Sequence, residues 1–156
     1  MNPLTRRGAA PGDEAFLFDL FRVVRGDEFA LTGLPPAQID MLLQMQFRAQ
    51  SSGYRSQFPD SDHEIILVDG AAAGRIWVRR SPAEFVLVDI SLLPAYRNRG
   101  IGTALITELI DEARAAGAPL RCSVALTNQG SLRFHQRLGF AVTGQDEVYY
   151  DLERKP

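Results

Sequence analysis

Residues 96–104 read YRNRGIGTA and lie between a predicted strand and the longest predicted helix of the chain. Pro94 ends the strand, and Gly100 and Gly102 open the helix. The N–H groups of a helix N-terminus lack intrahelical partners and carry a partial positive charge, so they form a site for anions. Glycines let a phosphate approach the backbone closely, and Arg97 and Arg99 add charge-assisted contacts. The segment therefore predicts a phosphate-bearing ligand, although the two glycines could also serve only a tight turn and close packing of the helix.

Hydrophobic periodicity predicts the elements on either side of this turn. Two amphipathic helices, the first ending at Gly26, precede a loop over residues 51–62 and an antiparallel meander of three strands. After the turn come the long helix, a strand, a shorter helix and two closing strands. The predicted strands are 64–69, 74–80, 85–93, 120–126, 140–143 and 147–152, and the predicted later helices begin near residues 101 and 129. This order predicts an α+β fold around one mixed sheet, in a single domain over residues 1–156.

Composition excludes several classes of function. The 156 residues carry a net charge of −2, which provides no electrostatic footprint for nucleic acid. No stretch approaches the length of a membrane-spanning helix, and residues 1–12 lack the apolar core of a secretion signal. The single cysteine, Cys122, excludes an intramolecular disulfide and a multi-cysteine metal site. We expect a cytoplasmic protein with no metal, and the sequence leaves open whether the protein forms a homodimer.

Two motifs in this order resemble the GNAT N-acetyltransferase family. Arg97, Gly100 and Gly102 match the family's Arg/Gln-x-x-Gly-x-Gly/Ala motif for the pyrophosphate of acyl-CoA. Residues 128–140, NQGSLRFHQRLGF, resemble the family's Asn-x-x-Ala-x-x-Leu-Tyr-x-x-x-Gly-Phe segment. The resemblance covers nearly the whole chain. It implies a GNAT fold, with a mostly antiparallel sheet of six to seven strands flanked by about four helices, and it implies acetyl-CoA as co-substrate.

The resemblance also assigns cofactor-binding positions. The strand before the turn would bind the pantetheine arm through its backbone, the turn would bind the pyrophosphate, and Asn128 would contact the cofactor or, on physical grounds equally well, cap a helix. The assigned residues are Ile90, Ser91, Leu92, Arg97, Asn98, Arg99, Gly100, Ile101, Gly102, Thr103 and Asn128. The departure from the family pattern is at one catalytic position, His135.

His135 stands where most family members have a tyrosine that protonates the leaving CoA thiolate. Histidine is able to serve as a general acid near neutral pH, but the thiolate could also leave unassisted, and a half-buried polar role for His135 is an alternative. The expected buried stripe of its helix is Ser131, Phe134 and Leu138. The other catalytic candidate, Asp89, lies in an apolar strand at a position that faces the acceptor amine in polyamine- and aminoglycoside-type relatives. Its alternative role is an ion pair with an arginine such as Arg79.

The resulting hypothesis is direct attack of an unidentified amine on acetyl-CoA, with Asp89 accepting the amine proton and His135 or solvent protonating the thiolate. Backbone N–H groups near Ile90–Leu92 would stabilise the oxyanion. Cys122 should be dispensable, and His63 is expected to be exposed. Alternatives are a CoA-binding sensor without transferase activity, a transferase for longer acyl groups, or a nucleotide site, for which no Walker or dinucleotide pattern is present.

Overall fold

A computed structural model describes residues 3–156, apart from the side chains of residues 27 and 28. Within that range the chain forms four α-helices and seven strands. Short 3-10 helices occupy Pro11–Asp13 and Pro94–Tyr96. The elements in chain order are β1 (Leu4–Gly8), α1 (Glu14–Ala30), α2 (Pro36–Gln57), β2 (Ser61–Val68), β3 (Ala71–Arg80), β4 (Phe85–Leu92), α3 (Ile101–Ala115), β5 (Leu120–Ala125), α4 (Gln129–Arg137), β6 (Ala141–Gln145) and β7 (Tyr149–Arg154).

The seven strands are ordered β1-β2-β3-β4-β5-β7-β6 in one sheet. β4 and β5 pair in parallel, with Phe85 opposite Leu120 and Leu87 opposite Cys122, whereas β1–β2, β5–β7 and β6–β7 are antiparallel. The connection between the two parallel strands contains α3, as a parallel crossover requires. A mostly antiparallel mixed sheet with four helices confirms the predicted α+β fold class.

The chain divides into two compact units, the first running to Trp77 and including Asp89–Arg99. In this first unit, α1 and α2 bury one apolar stripe each, as their 3.6-residue periodicity predicts. The rings of Phe18 and Phe21 each lie 5.6 Å from that of Phe47, between centroids. The buried cluster comprises Leu17, Phe21, Leu43, Phe47 and Ile65. Each such side chain contributes roughly 1.5–3 kcal/mol through removal from water.

The second unit comprises Val78–Val88 and Gly100–Pro156. The amphipathic helix α3 buries Leu105, Ile106, Leu109, Ile110 and Ala113, which is the stripe that the sequence pattern predicts. Along β5, the side chains of Leu120, Cys122 and Val124 are buried, and the residues between them are exposed. This alternation is typical of a strand, whose successive side chains point to opposite faces.

Three local predictions are wrong. Strand β1 has no counterpart in the sequence prediction, because its LTRRG segment is largely exposed and shows no apolar alternation. Helix α1 continues past Gly26 to Ala30, and α2 continues through most of the predicted loop to Gln57. A glycine inside a helix weakens it by only about 1 kcal/mol, so Gly26 and Gly53 do not end these helices. The end of α2 instead comes just before Pro59.

Candidate functional site

The turn after β4 has an unusual backbone conformation. Asn98 and Gly100 both have positive φ angles, of 58° and 78°, and Gly100 immediately precedes the first residue of α3. A φ near 78° is accessible to glycine at little cost and strained for most other residues. No side chain caps this end of α3, so its first N–H groups keep their hydrogen-bonding capacity for a ligand.

Gly102 lies in the first turn of α3. A β-carbon at this position would meet the ring of Phe134 at 3.6 Å, which is an ordinary van der Waals contact. Packing within the chain therefore does not require glycine here, unlike the backbone conformation at Gly100. The missing side chain leaves the helix backbone open to close approach by a bound group.

The two arginines of the turn hold backbone oxygens. Arg97 donates from Nε to the carbonyl of Leu92 at 3.0 Å, and Arg99 donates to the carbonyl of Ala95 at 3.4 Å. The guanidinium of Arg99 also lies over the ring of Tyr96. Among the described residues, neither arginine forms a salt bridge with a carboxylate. Their positive charge is therefore available to an anion.

Sequence reasoning missed Gly74, which shapes the end of β4. A methyl group at Gly74 would overlap the carbonyl oxygen of Ser91 and lie 3.0 Å from the α-carbon of Leu92. The N–H of Leu93 donates to the carbonyl of Ala73 at 2.8 Å, which holds the two segments together. An isolated glycine inside a strand is the signal that could have identified this close approach of two backbones.

Asp89 forms a salt bridge with Arg75, at 2.8 Å between Nε and Oδ2, which confirms the alternative role of an ion pair with a neighbouring arginine. The partner is Arg75 and not Arg79, the example given for it. Arg75 is only 4% exposed and donates its Nη2 to Gln50 at 2.8 Å. The hydroxyl of Ser91 donates to the same Asp89 oxygen at 3.0 Å. Sequence position could not distinguish the two arginines, because both are on the same strand.

His135 is buried, with 6% of its surface exposed, and the predicted stripe of Ser131, Phe134 and Leu138 is displaced. The buried residues of α4 are Leu132 and His135. Ser131, Phe134 and Leu138 are each only partly covered. The ring of Phe134 contacts that of His135 edge-on, with 5.3 Å between centroids. Phe140 contacts the same ring, also at 5.3 Å.

The tautomer of His135 follows from its hydrogen bond. Nδ1 lies 2.8 Å from the carbonyl oxygen of Ser131, and since a carbonyl only accepts, Nδ1 carries the proton. In the neutral ring Nε2 is then an acceptor without a proton to give. Burial lowers the pKa of His135 below its usual 6.5, against a smaller opposing effect of the Ser131 bond. Donation from Nε2 therefore requires the imidazolium form, which this environment disfavours.

Asn128 caps α4, since its side-chain oxygen accepts the N–H of Ser131 at 3.0 Å. The capping role, one of its two predicted roles, is thus observed. Ser131 connects Asn128 with His135, because its N–H reaches one and its carbonyl the other. A contact of Asn128 with a cofactor stays a prediction.

His63 was predicted to be exposed, and that prediction is wrong. Its ring is half-buried and stacks on Trp77, with 4.1 Å between ring centroids and 7° between planes. Burial, with Arg75 and Arg55 nearby, lowers its pKa to about 4, and its Nε2 is buried without a hydrogen-bond partner among the described residues. The ring and Trp77 line an open pocket of about 540 Å³ that none of the predicted site residues borders.

Cys122 and three aromatic side chains, at the end of α2 and on β7, have defined surroundings. Burial raises the pKa of the Cys122 thiol to about 12, so it stays protonated at neutral pH. Tyr54 and Phe58 lie on the last turn of α2 and at its C-terminal cap, where Tyr54 packs edge-on against Trp77. Tyr149 is exposed on β7. Among the residues whose side chains the structure describes, no group of three or more is suited to hold a metal ion, and none of the described helical stretches has the length and apolar character to cross a membrane.

Comparisons with known proteins identify the family. The model of the acetyltransferase (GNAT) family matches residues 37–140. Streptothricin acetyltransferase of Streptomyces lavendulae is 30% identical over 160 residues, covering 92% of this chain and 85% of that protein. The L-amino acid N-acyltransferase MnaT of Escherichia coli is 43% identical over 53 residues, so this match spans only 33% of the chain and 31% of MnaT.

The comparison of folds agrees with the family match. The PaiA N-acetyltransferase of Thermoplasma acidophilum, solved in complex with coenzyme A, superposes with a TM-score of 0.73 at 20% identity over 99% of both chains. This likeness concerns the fold. Together with the family match over two thirds of the sequence, it shows that the chain is an acyltransferase and belongs to the GNAT acetyltransferase family.

Proposed function

We propose that this chain transfers the acetyl group of acetyl-CoA to a primary amine of a small molecule or protein by direct attack. The observation that carries the proposal is the uncapped N-terminus of α3, preceded by two arginines without acidic partners. The resemblance to the GNAT motif assigns the pyrophosphate of CoA to this turn, and this geometry supports that assignment. The name of the Escherichia coli relative, an N-acyltransferase, supports nitrogen as the accepting atom.

Cofactor binding would use two parts of the chain. The pyrophosphate would accept hydrogen bonds from the backbone of residues 97–103, with Arg97 and Arg99 neutralising its charge. The pantetheine arm would pair with the backbone of Ile90–Leu92, where Gly74 permits the local strand geometry. Asn128 would contribute a further polar contact from the start of α4.

The chemistry requires a neutral amine. Its nitrogen attacks the thioester carbonyl, backbone N–H groups near Ile90–Leu92 stabilise the oxyanion, and the C–S bond then breaks with its electron pair on sulfur. Asp89 accepts the proton lost by the amine. His135 in its imidazolium form, or solvent, protonates the thiolate. No covalent enzyme intermediate is needed, which agrees with a Cys122 thiol that is buried and protonated.

The second candidate is a CoA-binding sensor without transferase activity. His135 favours it, because in its neutral form the ring has no proton to give at Nε2. The two candidates predict different results in one assay. A transferase releases free CoA thiol when acetyl-CoA and an acceptor amine are both present, whereas a sensor releases none above the rate without enzyme.

The experiment is a thiol-release assay over a panel of polyamines, amino acids, aminoglycosides and peptide N-termini, with wild type and Gly102→Glu. We expect turnover with at least one amine class and a KM for acetyl-CoA raised at least about tenfold by the substitution, because a carboxylate on the first turn of α3 would occupy the phosphate approach and repel the phosphates. Stability should stay equal or rise, since glutamate favours a helix over glycine by up to about 1 kcal/mol.

Gly53→Glu, in the exposed interior of α2, is the matched control and should gain similar stability without a change in KM. An unchanged KM in Gly102→Glu would remove the turn from the cofactor site. Absence of thiol release with every amine, despite binding of acetyl-CoA, would favour the sensor.

A further inference from the structure

A buried arginine adjoins the proposed proton acceptor. Arg75 of β3 is held by three contacts: Nε to Asp89 at 2.8 Å, Nη2 to Gln50 at 2.8 Å, and its guanidinium over the ring of Trp77 at 5.7 Å from the centroid. With only 4% of its surface exposed, the side chain has little freedom to move. The position and orientation of its charge are therefore defined by α2, β3 and β4 together.

The contacts to Asp89 distinguish its two oxygens. Oδ2 accepts both the Nε–H of Arg75 and the hydroxyl of Ser91, at 2.8 and 3.0 Å. No described residue donates a hydrogen bond to Oδ1. The side chain is 24% exposed, so the carboxylate remains accessible to a molecule from outside. Two donors on one oxygen orient the carboxylate and leave the other oxygen open.

A contribution to folding stability is a weak explanation for the buried ion pair of Arg75 and Asp89. A buried ion pair often contributes no more than well-packed apolar side chains of similar volume, because both charges must leave water. Here the cost is higher still, since Nη1 of Arg75 is buried without a hydrogen-bond partner among the described residues. Such an unsatisfied group in a folded protein calls for an explanation, and a role in catalysis is one of those known.

We propose that Arg75 is a positioning residue of the acetyl transfer, which orients the Asp89 carboxylate so that Oδ1 takes the proton of the attacking amine. The inference rests on the proposed function. As the bond between amine nitrogen and acetyl carbon forms, the N–H proton moves to Oδ1, and the electron pair of the C–S bond leaves with the CoA sulfur. Arg75 touches neither substrate and acts only through Asp89.

The test is a double-mutant cycle on the full chain, using Arg75→Met, Asp89→Asn and the combined variant, with the best amine from the panel. We expect Asp89→Asn to lower kcat by about 100-fold or more, the size typical of a lost general base. Arg75→Met should lower kcat by at least about 30-fold and leave the KM for acetyl-CoA within about threefold. The combined variant should be no slower than Asp89→Asn alone, because Arg75 has no other route to the reaction.

Arg79→Met is the matched control, since this arginine belongs to the same strand and forms no salt bridge among the described residues; its kcat should equal that of wild type. Arg75→Lys keeps the positive charge but lacks the planar guanidinium that donates to Asp89 and Gln50 together. Its kcat should therefore exceed that of Arg75→Met by less than about tenfold. Should Arg75→Met fail to fold, Gln50→Ala removes only the anchor of the guanidinium. It should lower kcat several-fold in the wild-type background and not at all beside Asp89→Asn.

Additive losses in the cycle would overturn the inference, because Arg75 would then act independently of Asp89. So would a folded Arg75→Met variant with wild-type kcat, or a loss that appears only in KM. If the wild-type protein released no CoA thiol with any amine, the proposed function itself would be refuted. The two failures are thus separate observations.

Discussion

Two histidines show how strongly the surroundings of one side chain change its chemistry. His63 stacks on a buried tryptophan, and His135 lies between two phenylalanines on α4 and after it. Burial lowers the pKa of both below the usual 6.5. At neutral pH both rings are therefore uncharged, and the lowered pKa of each predicts a different measurable effect.

The consequence at His63 is a loss of stability in acid. The unfolded chain binds a proton at this histidine below about pH 6.5, whereas the folded protein binds it only near pH 4. Since the unfolded state binds more protons in this window, the free energy of unfolding falls as pH drops from 6.5 toward 4. Because the ring is partly solvated, we expect about 1–2 kcal/mol from this group.

His63→Phe keeps the stack on Trp77 and removes the titration. Urea unfolding at pH 7.5 and pH 5 should show a smaller difference between the two pH values for the variant than for wild type. Equal differences would mean that other groups cause the acid sensitivity.

The consequence at His135 concerns catalysis. If its imidazolium protonates the CoA thiolate, kcat of His135→Phe should fall by about 10- to 100-fold relative to wild type at pH values below the lowered pKa. At pH 8 the loss should be under about threefold, because the wild-type ring is then neutral and the thiolate leaves unassisted.

His135→Tyr, which introduces the residue common in the family, is the comparison and should keep its activity at pH 8. An equal loss for His135→Phe at both pH values would assign a role to the neutral ring. No loss at either would remove His135 from the mechanism, provided that thermal unfolding shows both variants folded.

At the scale of elements, β3 carries two adjacent residues that shape the end of β4. Gly74 allows the backbone of Ser91 to approach, and Arg75 holds Asp89 and, through it, the hydroxyl of Ser91. Neither residue belongs to a recognisable motif. The strand that the family resemblance assigns to the pantetheine arm thus depends on its neighbour for its geometry.

Gly74→Ala should therefore be far more harmful than its size suggests. The methyl group would overlap a backbone oxygen, which cannot swing aside as a side chain would, so we expect a loss of about 2–4 kcal/mol of stability and weaker binding of acetyl-CoA. Gly8→Ala in β1, with no atom near the added methyl, is the control and should change stability by less than about 0.5 kcal/mol. Denaturant midpoints and titration with acetyl-CoA give both quantities. A stable Gly74→Ala variant with normal affinity would show that the two strands are able to separate at no cost.

At the scale of the whole molecule, cofactor binding and unfolding are linked. We expect a single cooperative transition for residues 1–156, as the single-domain prediction requires. Acetyl-CoA at 100 times its Kd should stabilise the folded state by about 2.7 kcal/mol and raise Tm by roughly 5–10 °C, whereas ATP and NAD at equal concentration should shift Tm by less than about 1 °C. Differential scanning calorimetry measures both points. Two separate transitions, or an equal shift with ATP, would contradict the single domain or the CoA assignment respectively.

Most of the architecture could be predicted because its signals are local. Helix α3 shows an apolar stripe of period 3.6 from Ile101 onward, and buried and exposed side chains alternate along β5. Gly100 marks the turn before α3, because glycine readily adopts the positive φ angle found there. Strand β1 could not be predicted, since an exposed, polar edge strand is defined only by its hydrogen bonds to β2. The ends of α1 and α2 were missed because packing offsets the small penalty of a helical glycine.

The sequence by itself thus determined the family, the order of the elements from α1 onward and the glycine turn after β4, all of which depend on residues close together in the chain. Only the tertiary structure decided which arginine pairs with Asp89, why Gly74 must be glycine, and which face of α4 is buried. These features depend on contacts between different strands or on the rotation of a helix about its axis. Such contacts leave no periodic trace in a sequence, because a single side chain on each element is enough to make them.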